Sequence, residues 1–168
     1  MTQPLQAIIL TISDTSHKGT RHDKSGPALA NHLRAAGYIV PTPEILPDER
    51  EQIATRLRAV IDHHQTDVIF TTGGTGVAPR DVTPEAVRDV IDREIPGFGE
   101  LMRQSGRAFT PMASLSRSLA GVSGSTLIVA LPGSPKAALE SLSAILELVP
   151  HVHDLLNGRT AHEIQGGE

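Results

Sequence analysis

The residues Thr71-Thr72-Gly73-Gly74-Thr75-Gly76 follow an apolar run, Val68-Ile69-Phe70, and precede Arg80-Asp81-Val82-Thr83-Pro84-Glu85-Ala86. Glycines carry no Cβ, so several backbone N–H groups can point into one concavity, and threonine hydroxyls add further donors. Strand, glycine loop and helix N-terminus in succession hold phosphate in many α/β proteins. Asp81 beside the loop offers a carboxylate to a magnesium ion. The chemistry these residues suit is the handling of a phosphorylated substrate. The loop lacks the Gly-Lys-Ser/Thr ending of a P-loop, and Pro79 stands where a dinucleotide fingerprint needs its third glycine.

Asp48 admits two readings. After Pro47 and before a helical pattern it is a good N-cap, and it is also a second carboxylate for a metal. Asn caps about as well as Asp, so Asp48→Asn separates the two roles. Asp81 likewise reads either as a ligand or as a surface partner of Arg80, and exposed pairs contribute little. The eight histidines do not converge: His151 and His153 are two apart, and His63-His64 ends a helix, where cationic histidine suits the dipole. With no cysteine, thiolate zinc sites, disulfides and thiol nucleophiles are excluded. No Ser, His and Asp set has the context of a nucleophile elbow.

These residues need a scaffold, and the hydrophobic pattern supplies one. Ala7 to Ile12, Asp67 to Thr72 and Thr126 to Leu131 read as strands, the first and last buried on both faces. Tyr38 to Val40 and Ile45-Leu46 bracket a second strand region whose prolines, Pro41 and Pro43, place it at an edge or make it irregular. Helices are expected from Pro27 to Ala36, stopped by Gly37, and from Pro47-Asp48-Glu49-Arg50 to about His64. Thr83-Pro84-Glu85 reads as cap, first-turn proline and first-turn acid of a helix to about Ile91. Ser13 to Ser25 reads as a loop, Pro96-Gly97-Phe98-Gly99 as a turn, and Glu100 to Ser105 as a short helix. Ser114 to Val122 stays open between strand and irregular chain. A last helix runs from Lys136 to about Leu148, Pro150 interrupts it, and a helical stretch continues to Leu156. One domain spans 1–168, with 157–168 a polar, frayed tail.

Strands alternating with helices imply a mostly parallel sheet covered on both faces, whose ligands bind beyond the carboxyl ends of the strands. Four polar loops fall on that rim: Ser13-Asp14, Pro47-Asp48, Gly73 to Asp81, and Gly133-Ser134. A net charge of -4 and only four aromatic residues, Tyr38, Phe70, Phe98 and Phe109, argue against nucleic acid as a partner. No apolar stretch approaches a membrane span or a signal peptide, so the expected location is the cytoplasm.

Five segments in this order make the pattern specific: Thr72-Gly73-Gly74-Thr75-Gly76; Arg80 to Ala86; Pro96-Gly97-Phe98-Gly99-Glu100-Leu101-Met102-Arg103; Leu115-Ser116-Arg117; and Leu131-Pro132-Gly133-Ser134-Pro135-Lys136-Ala137. From Ile8 to about Leu156 the chain resembles the MogA/MoaB family of molybdenum-cofactor biosynthesis proteins, related to the G domains of gephyrin and its plant counterpart. The resemblance implies a three-layer α/β/α sandwich, its sheet mostly parallel with one antiparallel strand. It implies molybdopterin adenylyltransferase activity on small-molecule substrates, with ATP, molybdopterin and magnesium, and pyrophosphate as product. It further implies a homotrimer, or a hexamer built from trimers, and hand-over to a molybdate-inserting enzyme. By position, Asp48 and Asp81 match the family's two catalytic carboxylates and hold the magnesium. Ser13, Asp14, Thr72, Gly73, Gly74, Thr75, Gly76, Ser116, Arg117, Gly133 and Ser134 match substrate-pocket segments.

Three rivals follow from the same resemblance. A pterin-binding module without catalysis would keep the loop and lose the carboxylates, which this chain retains. A fragment of a fused protein is at odds with a single domain having its own start and a short tail. A scaffold of the gephyrin sort needs an appended partner-binding region.

Overall fold

Strands whose side chains are apolar on both faces must be covered on both, and this requirement shapes the molecule. The computed structural model describes residues 3–63 and 66–159. The expected helix end at His64 and most of the expected tail, residues 160–168, lie outside them. The elements in chain order are β1 (Ala7–Ile12), α1 (Asp14–His17), α2 (Ser25–Ala35), β2 (Glu44–Leu46), α3 (Arg50–Asp62), β3 (Val68–Thr72), α4 (Thr83–Arg88), β4 (Arg93–Glu94), α5 (Pro96–Arg107), β5 (Leu119–Ser123), β6 (Thr126–Leu131), α6 (Pro135–Ile145) and α7 (Leu148–Leu156). A 3-10 turn, Pro111–Leu115, connects α5 to β5.

The six strands form one sheet in the order β2-β1-β3-β6-β5-β4. β2, β1, β3 and β6 are parallel, and β5 is the one strand that runs against the rest, pairing antiparallel with both β6 and β4. The mixed sheet therefore has the composition the resemblance implies. Register matters more for the site. Ile12 pairs with Leu46, Thr11 with Thr72, and Thr72 with Leu131, so four strands end in step at one rim. From β1 the order proceeds to β2 on one side and β3 on the other, which opens a crevice between the ends of β1 and β3.

Alternate strand residues feed two cores. On one face Ile9, Phe70 and Val129 pack with Leu29 and Leu33 of α2, Phe98 and Met102 of α5, and Leu142 of α6. On the other, Leu10, Ile69 and Ile128 pack with Ile53 and Leu57 of α3 and Val87 of α4. Each large side chain buried this way contributes about 1.5–3 kcal/mol. The result is the three-layer sandwich: α2, α5, α6 and α7 cover one face, α3 and α4 the other.

Several local expectations yield to tertiary packing. The expected turn at Pro96 is the first turn of α5, because Phe98 and Met102 lie one turn apart and both enter the core. Gly99 permits this, since a Cβ there would stand 2.7 Å from the carbonyl of Ser118, the residue before β5. Part of the expected Ser13 to Ser25 loop is the short helix α1, capped by the Ser13 hydroxyl, and α2 begins at Ser25 rather than Pro27. α6 ends at Ile145, before Pro150, which sits in the first turn of α7, where its missing N–H breaks no helical bond. α4 stops at Arg88, short of Ile91. The open segment resolves into the 3-10 turn and β5.

Gly73 seats the glycine loop against the end of β1. Its φ is 105°, and a Cβ there would stand 2.2 Å from the Ile12 carbonyl oxygen. Gly73→Ala is expected to lower unfolding free energy by about 3 kcal/mol or more through strain and overlap. Gly97→Ala meets nothing within 4 Å and sits in a helix, so it is expected to raise stability by up to about 1 kcal/mol. Urea unfolding of the two variants checks the contrast.

Candidate functional site

The rim loops are tied together before any ligand arrives. The Asp14 N–H donates to Asp48 Oδ2 at 2.8 Å, and the Asp48 N–H donates to Asp14 Oδ1 at 3.1 Å. Arg80 closes this pair from the third loop, donating to Asp14 Oδ2 at 2.6 Å, to Glu49 Oε1 at 2.9 Å and to the Asp48 carbonyl at 3.1 Å. Two sequence readings are thereby overturned. Asp48 is not the cap of α3: Glu49 holds that position with no side-chain bond, and the Asp48 carboxylate serves Asp14 instead. Asp81 is not the partner of Arg80; its Oδ2 accepts the Ala78 N–H at 2.9 Å.

Both carboxylates press on the glycine loop. A Cβ on Gly74 would stand 3.1 Å from Asp48 Oδ1, and one on Gly76 would stand 2.7 Å from Asp81 Oδ2. Thr83, expected as the cap of α4, lies just inside the helix and turns its hydroxyl to the Gly73 carbonyl at 2.9 Å, satisfying a buried acceptor. Thr72 donates its hydroxyl to the Pro132 carbonyl at 2.7 Å, and the Gly73 N–H donates to Leu131. The Gly73 amide is therefore committed to the fold. The amides of Gly74, Gly133 and Ser134 donate to no protein acceptor among the described residues.

A cleft of about 330 Å³ opens here. Its walls include Ser13, Asp48 and Asp81, Thr72 to Gly74, and Gly133-Ser134. Thr75, Gly76, Ser116 and Arg117 are not among the wall residues. Arg117 works behind the loop, donating to the Gly76 carbonyl at 2.7 Å and the Asp81 carbonyl at 2.6 Å and pairing with Glu85. Ser116 lies in a separate hollow between α5 and β5. Asp14 reaches the cleft through its bonds to Asp48. The wall residues that escaped the sequence reading include Arg21, His22 and Lys24, from the segment before α2. Their signal was a cluster of basic residues in an otherwise polar loop.

The electrostatics follow from this crowding. Burial pushes the Asp48 carboxyl above its ordinary value of 3.8, the Asp14 amide opposes, and the charges of Asp14 and Asp81 push upward again. Arg80, by its hydrogen bond, holds the Asp14 carboxyl below the same value. A cleft of oxygen donors and free amides, with the Asp48 carboxylate disfavoured by burial, suits a hard divalent cation together with phosphate.

Residues 8–151 match the model of a family described as "Probable molybdopterin binding domain". The chain belongs to this molybdopterin-binding family. Among relatives, the molybdopterin adenylyltransferase of Helicobacter pylori strain J99 is 41% identical over 160 residues, covering 93% of this chain and 90% of that protein. The Escherichia coli K12 enzyme of the same name is 42% identical over 142 residues, covering 82% and 71%. The crystal structure of the molybdopterin biosynthesis enzyme MoaB from Thermus thermophilus superposes with a TM-score of 0.85 at 49% identity, covering 92% of this chain and 97% of that one.

In this family member the strain on Asp48 has a measurable consequence. Its native carboxyl is raised above the unfolded value of 3.8, so the native state holds its proton to higher pH and loses stability as pH rises. Asp48→Asn keeps an acceptor for the Asp14 N–H and removes the charge. In metal-free protein the thermal midpoint is expected to rise at pH 7, and the gain to shrink as pH falls toward 3.8, measured by melting curves across that range.

Proposed function

We propose that this protein is a molybdopterin adenylyltransferase acting in molybdenum cofactor biosynthesis. It transfers the adenylyl group of ATP to the terminal phosphate of molybdopterin and releases pyrophosphate. The observation that carries this reading is the placement of Asp48 and Asp81 together against the glycine loop, in a chain 41–42% identical to enzymes of that name. An oxygen of the molybdopterin phosphate attacks the α-phosphorus of ATP. The bond from that phosphorus to the bridging oxygen breaks, and the electron pair leaves on pyrophosphate.

Asp48 and Asp81 would hold magnesium, whose charge when bound offsets that on the leaving pyrophosphate. The protein's own residues do the rest by positioning. Free amides at Gly74, Gly133 and Ser134 donate to phosphate oxygens, and the Ser134 end of α6 adds the positive pole of a helix. Arg80 holds the Asp48 backbone so that its carboxylate keeps its direction. No protein nucleophile is needed, in keeping with a chain without cysteine.

The same reading includes a homotrimer, or a hexamer of trimers. Phe109, Met112 and Leu115 lie in and beside the 3-10 turn, are 60%, 63% and 53% exposed, and offer an apolar surface for a second copy. No helix among the described residues is long and apolar enough to cross a membrane, and the proposed site of action is the cytoplasm, with product handed to a molybdate-inserting enzyme.

The experiment is adenylyl transfer from ATP to molybdopterin with magnesium, followed for wild type, Asp48→Asn and Asp81→Asn. Wild type is expected to turn over, and each variant to fold and lose on the order of 100- to 1,000-fold in kcat. Full activity in both variants would remove this mechanism.

A further inference from the structure

The cleft runs across the rim from one helical layer to the other, and its two ends differ in charge. Asp48 leads into α3 and Asp81 precedes α4, both on one face of the sheet. Arg21, His22 and Lys24 lead into α2, and Ser134 caps α6, both on the opposite face. Among the described residues no ion pair includes Arg21 or Lys24, whereas Arg80, which serves the acidic end, pairs with both Asp14 and Glu49.

The basic segment is built rather than loose. Gly19 turns with φ 74°, and the Thr20 N–H and hydroxyl both donate to the Thr15 carbonyl at 3.0 Å. Asp23 then pins the segment to β1 and α2. Its Oδ2 accepts the Thr11 hydroxyl at 2.7 Å, and its Oδ1 accepts the Gly26 N–H at 3.1 Å and the Ser25 hydroxyl at 3.2 Å. A Cβ on Gly26 would stand 2.4 Å from Asp23 Oδ2, so glycine allows this close seat. With the Asp23 carboxylate occupied, the cations on either side of it remain for a ligand.

We propose that Arg21 and Lys24 form the subsite for the terminal phosphate of molybdopterin, opposite the carboxylates that serve the nucleotide; this rests on the adenylyltransferase reading. In-line transfer puts the entering and leaving oxygens on opposite sides of the α-phosphorus. A cleft with metal-binding carboxylates at one end and cations at the other meets that demand. The cations also shield the entering phosphate from Asp48 and Asp81.

Calorimetric titration with molybdopterin and, separately, with ATP and magnesium tests this. The Arg21→Ala/Lys24→Ala variant alters two exposed side chains and is expected to melt like wild type. Its Kd for molybdopterin is expected to rise about tenfold or more, while its Kd for magnesium ATP stays within about twofold. Arg21→Lys/Lys24→Arg is expected to retain most of the molybdopterin affinity. An unchanged Kd for molybdopterin, or an equal loss for both ligands, overturns the subsite while leaving the enzymatic reading intact. A loss confined to ATP also overturns it, assigning the basic end to the triphosphate. Wild type that binds neither ligand overturns the enzymatic reading, and the subsite with it.

Discussion

Two aspartates at the sheet rim each accept the other's amide hydrogen, and much of the site depends on that exchange. The bonds between Asp14 and Asp48 join the loop after β1 to the loop after β2. Arg80 adds the loop after β3 by gripping Asp14, Glu49 and the Asp48 backbone. Three segments far apart in sequence become one rigid unit. Burial is the main reason the Asp48 carboxyl is raised; the Asp14 amide offsets part of it, and the charges of Asp14 and Asp81 add to it. Arg80 relieves Asp14 and leaves Asp48 in tension. In the mechanism we propose, a divalent ion held by Asp48 and Asp81 would relieve what remains.

The fold supports this unit through register and layering. Four strands finish in step, so the loops that follow them start from a common plane. Because α3 and α4 cover one face of the sheet and α2 and α6 the other, the loops leading into the first pair approach the rim from one side and those leading into the second pair from the opposite side. The two charge characters of the cleft are thus a consequence of topology. In the reading proposed here, an acidic protein gathers two anionic reactants by local means: free amides, a helix end, and cations set apart from the carboxylates. Thr83 and Arg117 work from behind, engaging the carbonyls of Gly73, Gly76 and Asp81 so that the glycine loop keeps its shape.

What could be read from the sequence was what local chemistry dictates. The central strands were legible because residues buried on both faces must be apolar at every position. The glycine loop was legible because the φ of 105° at Gly73 and 66° at Gly74 suit glycine. Asp48 and Asp81 could be placed on one rim because strands alternating with helices put the loops that follow the strands at one edge of the sheet. The partners of charged side chains were not legible. Nothing local says that Arg80 turns from its neighbour Asp81 toward Asp14, 66 residues away. Nor does Pro96-Gly97-Phe98-Gly99 read as a helix until Phe98 and Met102 have a core to enter. Arg21 and Lys24 looked like solvated loop charges, and only the path of the segment over the rim brings both to the wall of the cleft.

The most direct test of the central claim is a crystal of the protein grown with manganese and a non-hydrolysable ATP analogue, with anomalous scattering used to locate the ion. The account predicts one strong peak in contact with carboxylate oxygens of both Asp48 and Asp81. A peak that touches neither carboxylate, or none at the glycine loop under saturating manganese, would contradict it.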